Sequence, residues 1–263
     1  MMNHTIGFIG CGNMGSAIVN GLVSQGIADP KQIWICKKHA EKRQGLPEKC
    51  HFVTSLQDLY DEAQIVILAV KPNILNGILF ESRELIRDHV IISIAAGWDC
   101  ARLAAALPEN CTFIRVMPNI CARVGQSASV ISSQTNHPES LELAQTIFGA
   151  IGNTYLVTES QFDAAATVAG CGPAFVFDFV NSMADAALKN GLPKALALEL
   201  VNTMMSGSLK MLSESRLHPA VLQDMVCSPG GTTIEGIHSL RSHQFESIVM
   251  DAVQASFDKS KHI

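Results

Sequence analysis

The sequence predicts an α/β domain with a parallel sheet, followed by an all-α domain. Three observations carry this. Short β-branched runs alternate with helical stretches in the first part of the chain. Those runs lack apolar–polar alternation, so both strand faces are buried, as in a parallel sheet covered by helices. Near residue 157 the strands stop, and the pattern stays helical to residue 255. The expected domains are residues 1–157 and 158–263.

Taken in order, residues 5–9, 33–36, 65–70, 90–95, 112–116 and 128–131 are the expected strands. Residues 14–24 form a helix with Ala17, Ile18 and Leu22 on one face. A last helix of this domain is bounded by Pro138 in its first turn and Gly149 at its end. Thr158-Glu159-Ser160-Gln161 has the form of a capping box opening the helical domain. Residues 173–189 and 194–212 follow as long helices, and His218 before Pro219 is an expected cap. Within 175–188 the polar residues are Asp178, Asn181, Ser182 and Asp185, a narrow stripe on an otherwise apolar helix. Such a helix is buried around most of its circumference, so it is expected to pack against a second copy of the chain; the central helix of a self-contained bundle is the plainer alternative.

Composition narrows the function classes. The 263 residues are 48% hydrophobic and 16% charged, enough to bury a core without staples. Net charge is −5, which gives no drive toward nucleic acid or an anionic bilayer. The longest apolar runs, at 65–70 and 90–97, fall far short of the roughly 18 residues of a membrane span. Strand-like sequence from Thr5 leaves no room for a signal or transit peptide. Eight cysteines form no CxxC pair and share no zinc-type spacing with histidine. They are expected to be reduced core residues of a cytoplasmic protein, with no metal site.

Chemistry enters with Gly10-Cys11-Gly12-Asn13-Met14-Gly15, which follows the first strand and opens a helix. In that context Gly10 makes the tight turn, Gly12 admits a pyrophosphate to the backbone, and Gly15 lets the helix pack on the strand. The helix N-terminus then binds phosphate. This marks residues 1–157 as a Rossmann-type dinucleotide-binding domain. An NAD-specific site places a carboxylate about 20 residues on, to hold the ribose hydroxyls. Here the chain has Cys36-Lys37-Lys38 instead, which suits a 2′-phosphate. NADPH is therefore expected, with NADH weaker; a solvated basic surface continuing through Lys42 and Arg43 is the plainer alternative.

Three further strand ends carry small or kinked residues: Ala69-Val70-Lys71-Pro72, Ala95-Ala96-Gly97 and Met117-Pro118-Asn119. Ligands of open α/β sheets bind at that edge. In the helical domain, Ser228-Pro229-Gly230-Gly231-Thr232-Thr233 precedes a helix at 234–240, with glycine amides expected uncovered for a carboxylate and Thr233 placing a hydroxyl beside it. Gly170-Cys171-Gly172-Pro173-Ala174 allows either close approach to a ligand or tight helix packing.

Together these segments closely resemble the pyrroline-5-carboxylate reductase family. The likeness is densest in 8–15, 65–72, 92–97, 115–119 and 170–233. It implies an all-α C-terminal dimerisation domain interlocked with its mate, dimers assembling further into decamers, and hydride transfer from NADPH to the C=N carbon of 1-pyrroline-5-carboxylate to give L-proline. By position it implies cofactor contacts at Gly10, Gly12, Asn13, Met14, Ala69, Lys71, Pro72, Ala95 and Gly97; the motifs themselves add Ile9, Cys11, Gly15, Lys37, Lys38, Val70 and Ala96 to the expected cofactor site. Met117, Pro118 and Asn119 belong near the nicotinamide. Substrate falls to Ser228, Gly230, Gly231, Thr232 and Thr233, with Thr233 hydrogen-bonding the ring nitrogen. The chain departs from the family pattern at Ala169, Cys171 and Phe175, and at Ile120 and Cys121 after Met-Pro-Asn.

Two other readings share parts of the pattern. A β-hydroxyacid dehydrogenase has the same domain plan but resembles enzymes with a lysine early in the long helix; residues 170–188 contain none. A regulator that retains NADP affinity without turnover would account for the departures.

Overall fold

The strands are β1 (Ile6–Ile9), β2 (Ile33–Cys36), β3 (His51–Val53), β4 (Ile65–Leu68), β5 (Val90–Ser93), β6 (Thr112–Met117), β7 (Ser127–Ser133) and β8 (Gly152–Leu156). They pair into one sheet in the order β3-β2-β1-β4-β5-β6-β7-β8. The computed structural model describes residues 2–37, 45–133 and 137–261. Strands β1 to β6 are mutually parallel, with Ile6 beside both Ile33 and Ile65. Chain order reverses between β1 and β4, which makes that the topological switch point.

Helices cover both faces. On one side α1 (Asn13–Ser24) and α5 (Pro138–Gly149) pack on Ile6, Phe8, Ile33, Ile35, Ile65 and Ile67. On the other side α2 (Leu56–Glu62), α3 (Pro72–Ser82) and α4 (Cys100–Ala106) pack on Ile9, Val66, Leu68 and Ile91. Successive residues of β4 thus enter opposite cores, and all four are fully buried. That is the cause of the missing polar alternation. Each such side chain contributes roughly 1.5–3 kcal/mol of burial.

The sheet corrects the sequence expectation in three places. It is not wholly parallel: β7 runs antiparallel to β6, because only a 3₁₀ turn, Ile120–Val124, separates them. Two strands, β3 and β8, lie outside the expectation. The first has three residues at the sheet edge, where His51 stacks on Trp34 at 4.3 Å. The second starts at Gly152, where φ is +148° and a Cβ would run into the Ser127 backbone.

The helices after residue 157 are α6 (Glu159–Lys189), α7 (Lys194–Ser215), α8 (Pro219–Val226), α9 (Thr232–Ser242) and α10 (Phe245–Ser260). The break expected at Pro173 is absent: α6 is one helix of 31 residues with Pro173 inside it. Its start is half of a capping box. Gln161 Oε1 accepts from the Thr158 amide at 3.2 Å, and the Thr158 hydroxyl donates to the same oxygen at 3.0 Å. His218 caps α8 as expected, its Nδ1 accepting from the Ala220 amide at 3.2 Å.

The chain divides into two compact units, Met1–Pro173 with Ser256–Ile263, and Ala174–Ala255. The second unit has a small core of its own: Ala184, Ala197 and Val201 are its buried apolar residues among those described. Phe177, Leu200, Met225 and Met250 stand exposed, Met250 at 71%. By length and composition α6 is also long and apolar enough to cross a membrane, and only 6% of its most apolar window is buried within this chain. So large an uncovered apolar surface marks an interaction face.

Candidate active site

The first βα turn sits at the switch point, and its three glycines differ in what surrounds them. Gly10 has φ +78°, donates its amide to Cys36 O at 2.9 Å, and has Val70 Cγ1 and the Ala69 carbonyl where a Cβ would be. Gly15 faces Cys11 Sγ and Ala69 Cβ at 3.3 and 3.5 Å from an ideal Cβ, a close helix–strand contact. Gly12 has nothing within 4 Å of its Cβ position. It is also the N-cap of α1, with no side chain bonded to the first-turn amides. An open approach to free amides at a helix N-terminus suits an anion. Ile9 is buried beneath this turn, while Asn13 and Met14 begin α1. Burial raises the Cys11 thiol above its ordinary pKa, against the opposing effects of Ser16 and Lys37, so this loop carries no thiolate near neutrality.

Because β2, β1, β4, β5 and β6 are parallel neighbours, their C-terminal ends form a row. Lys37 follows β2, with its ammonium 5.2 Å from the centre of the Phe52 ring. Lys38 lies outside the described residues. Next come Ala69 and Val70, then Lys71 as N-cap of α3 and Pro72 in its first turn. Ala95, Ala96 and Gly97 (φ +72°) follow β5. The buried Trp98 ties the last two loops, its Nε1 donating to Pro72 O at 3.3 Å. Arg102 stacks on that indole at 4.2 Å and donates to Gly97 O at 3.0 Å. Met117 ends β6, and Pro118 and the buried Asn119 follow.

A cleft of roughly 450 Å³ opens where this row meets α6. Ala96, Gly97 and Met117 line it from the sheet; Asp163, Ala166, Thr167, Gly170 and Cys171 line it from the helix. Arg115, which also lines it, belongs with Asp163 to a network that sequence reasoning missed. Arg115, 5% exposed at its side chain, donates to Glu159 at 2.8 Å and to Asp163 at 2.9 Å, and its guanidinium lies 3.9 Å from the Phe162 ring centre. Glu159 also accepts from the Cys100 amide at 2.9 Å, the Cys100 thiol at 3.2 Å and the Ser132 hydroxyl at 2.8 Å. Burial works to raise the Glu159 pKa, but these hydrogen bonds and the Arg115 charge outweigh it and hold the carboxyl below its ordinary value. The Cys100 thiol is pushed up to about 12, by burial first and then by Glu159. The available signal was an arginine within an apolar strand, which demands buried partners.

In the second unit the segment expected to hold substrate forms a turn before α9. Gly230 has φ +65°, and Gly231 is the N-cap of α9 with no side-chain cap. One expectation is corrected: the Gly231 amide is not uncovered, because it donates to Ser228 O at 3.0 Å and closes the turn. A Cβ at 231 would run into the Ser228 hydroxyl. Thr232 and the half-buried Thr233 begin the helix, so the amides open to an anion are those of its first turn. No cluster of metal ligands exists among the described residues.

Two family models match the chain: one described as pyrroline-5-carboxylate reductase dimerisation over residues 159–263, and one described as NADP oxidoreductase, coenzyme F420-dependent, over residues 5–97. The pyrroline-5-carboxylate reductase of Methanosarcina acetivorans is 39% identical, across 100% of this chain and 99% of the relative. That of Escherichia coli is 38% identical over 100% and 99%. Among solved structures, the Plasmodium falciparum pyrroline carboxylate reductase with NADP bound matches with TM-score 0.92 at 31% identity, covering 100% of this chain and 98% of that one. The Coxiella burnetii pyrroline-5-carboxylate reductase matches with TM-score 0.92 at 29% identity, over 99% and 98%.

Proposed function

The chain belongs to the pyrroline-5-carboxylate reductase family, and we infer from that premise that it reduces 1-pyrroline-5-carboxylate to L-proline with NADPH. One observation carries the reading: relatives of that activity are similar over the whole chain, and the phosphate-binding turn they require has an open Gly12 at the switch point. The residues fit the cofactor. The α1 amides would hold the pyrophosphate, and Lys37 with Lys38 the 2′-phosphate. The residues at 69–72, 95–97 and 117–119 would flank the rest. When bound, NADPH supplies the hydride delivered to the C=N carbon.

The protein's own work is placement and proton handling. The amides opening α9 would hold the substrate carboxylate. The Gly231–Ser228 bond would keep the 228–231 turn closed, so those amides are pre-oriented. Ser228, Gly230 and Thr232 would complete this cradle. The Thr233 hydroxyl would hydrogen-bond the ring nitrogen, donating to the imine or relaying a proton from water. A protonated imine is already electrophilic, so no strong general acid is needed. Alignment supplies most of the acceleration, up to ~7–11 kcal/mol.

Residues 1–157 serve as the nucleotide-binding domain and 158–263 as the dimerisation and substrate domain; the dimerisation match at 159–263 supports that division. The apolar face of α6 is the homodimer surface rather than a membrane span, and dimers can assemble further as a pentamer of dimers. Eight unpaired thiols favour the cytoplasm, a reducing compartment. The test is NADPH consumption with synthetic pyrroline-5-carboxylate, run beside NADP reduction with 3-hydroxy acids. Turnover of the imine alone is expected. NADPH binding with no imine turnover would leave only a nucleotide-binding regulator.

A further inference from the structure

Pro173 poses a hydrogen-bonding problem that the sequence alone does not solve. In an α-helix the amide of residue 173 would donate to the carbonyl of residue 169. Proline has no such amide, and its ring crowds that carbonyl. The helix nevertheless runs unbroken from Glu159 to Lys189. The Ala169 carbonyl is satisfied from outside: Asn119 Nδ2 donates to it at 2.9 Å. Asn119 Oδ1 meanwhile accepts from the Cys121 amide at 3.0 Å, and the Asn119 amide donates to Ser127 Oγ at 3.1 Å. One donor partner and one acceptor partner fix the carboxamide's orientation. Asn119 is buried at 7% exposure.

We propose that Asn119 is a positioning residue: its carboxamide replaces the amide that Pro173 lacks and so sets the spacing between the end of β6 and α6. The two elements it joins both line the cleft, β6 through Met117 and α6 through Gly170 and Cys171. The carboxamide itself is committed to backbone groups of the protein. Asn119 therefore acts on the cofactor through the walls it spaces, and the proposal rests on the reductase reading for which substrate those walls serve.

The test is a double-mutant cycle of Asn119→Ser with Pro173→Ala. Serine still caps the Cys121 amide but is too short to reach Ala169. Alanine at 173 restores the helix's own donor. Alone, Asn119→Ser is expected to lower kcat roughly 10-fold, with the KM for NADPH held within about 3-fold, since it leaves a partly buried carbonyl unpaired. In the Pro173→Ala background the same substitution is expected to cost less than about 3-fold. The urea-unfolding midpoint of the first unit, which needs no substrate, should show the same rescue. An equal penalty in both backgrounds, or none in the native one, overturns the proposal. Rescue in unfolding without rescue in kcat overturns the positioning role and leaves a structural bond. Absence of imine turnover in the native enzyme would refute the reductase reading instead, and the unfolding cycle would still decide the bond.

Discussion

Replacing Arg115 with methionine tests whether the buried ion cluster holds the cleft together. Methionine fills similar volume without charge. Breaking one side of a buried ion pair typically costs about 3–5 kcal/mol. Glu159 keeps three other donors, from Cys100 and Ser132, so its stranded charge belongs at the low end of that range. The Asp163 side chain is 47% exposed, and after solvent screening that arm contributes no more than about 0.5 kcal/mol. Loss of the guanidinium from the Phe162 face adds about 1 kcal/mol. The sum is a loss of roughly 4 kcal/mol. Glu159→Gln should cost less, because Arg115 retains Asp163 and glutamine still accepts from the Cys100 amide. The double variant should cost less than the two added together.

Urea unfolding at fixed protein concentration, followed by tryptophan fluorescence, gives the numbers. Both tryptophans, Trp34 and Trp98, lie in the first unit, so the signal reports the cluster's own unit. The pH dependence supplies a second check. The folded Glu159 pKa lies below its ordinary 4.5. Its contribution is therefore complete above that value and fades as pH falls through the lower folded pKa. The native protein should lose more stability on acidification than Glu159→Gln does. A loss under about 1 kcal/mol for Arg115→Met, or strict additivity in the double variant, would refute the reasoning.

Other expectations follow from the same geometry. Gly12→Ala should leave stability within about 0.5 kcal/mol, since its Cβ meets open space, yet weaken NADPH at least ~10-fold in a fluorescence titration. Gly10→Ala should do the reverse first, losing roughly 1–3 kcal/mol of stability because alanine at φ +78° is strained and meets Val70. Lys37→Glu should lower the ratio of NADPH to NADH efficiency by an order of magnitude or so; a native ratio below one would remove the 2′-phosphate role. Thr233→Ala should lower kcat/KM at least ~10-fold with NADPH affinity near normal, and an unchanged rate would remove Thr233 from the proton path.

The parts of the fold that follow from local pattern were visible in the residues. Apolar runs without alternation marked β1, β4 and β5, and the glycine spacing marked the turn at Gly10. What escaped depends on contacts distant in sequence. The edge strand β3 has three residues, and half-exposed β8 carries no apolar run. Arg115 meets Glu159 and Asp163 across 44 and 48 positions. Pro173 is the clearest instance. The local rule ends a helix before proline, and that rule assumes the carbonyl four residues back goes unpaired. Here a side chain 50 positions away pairs it.

The same contacts sort the residues at which this chain departs from its family. Ala169 enters the Asn119 bond through its carbonyl, which any side chain at that position would provide. Cys121 enters through its amide, equally indifferent to the thiol. Ile120 is 53% exposed at the start of the 3₁₀ turn. Phe175 belongs to the second unit, outside the cleft. Only Cys171 lines the cleft with its own surface. One altered cleft residue is a narrow basis for lost turnover. The departures therefore weigh toward a working reductase rather than toward a regulator that binds nucleotide without chemistry.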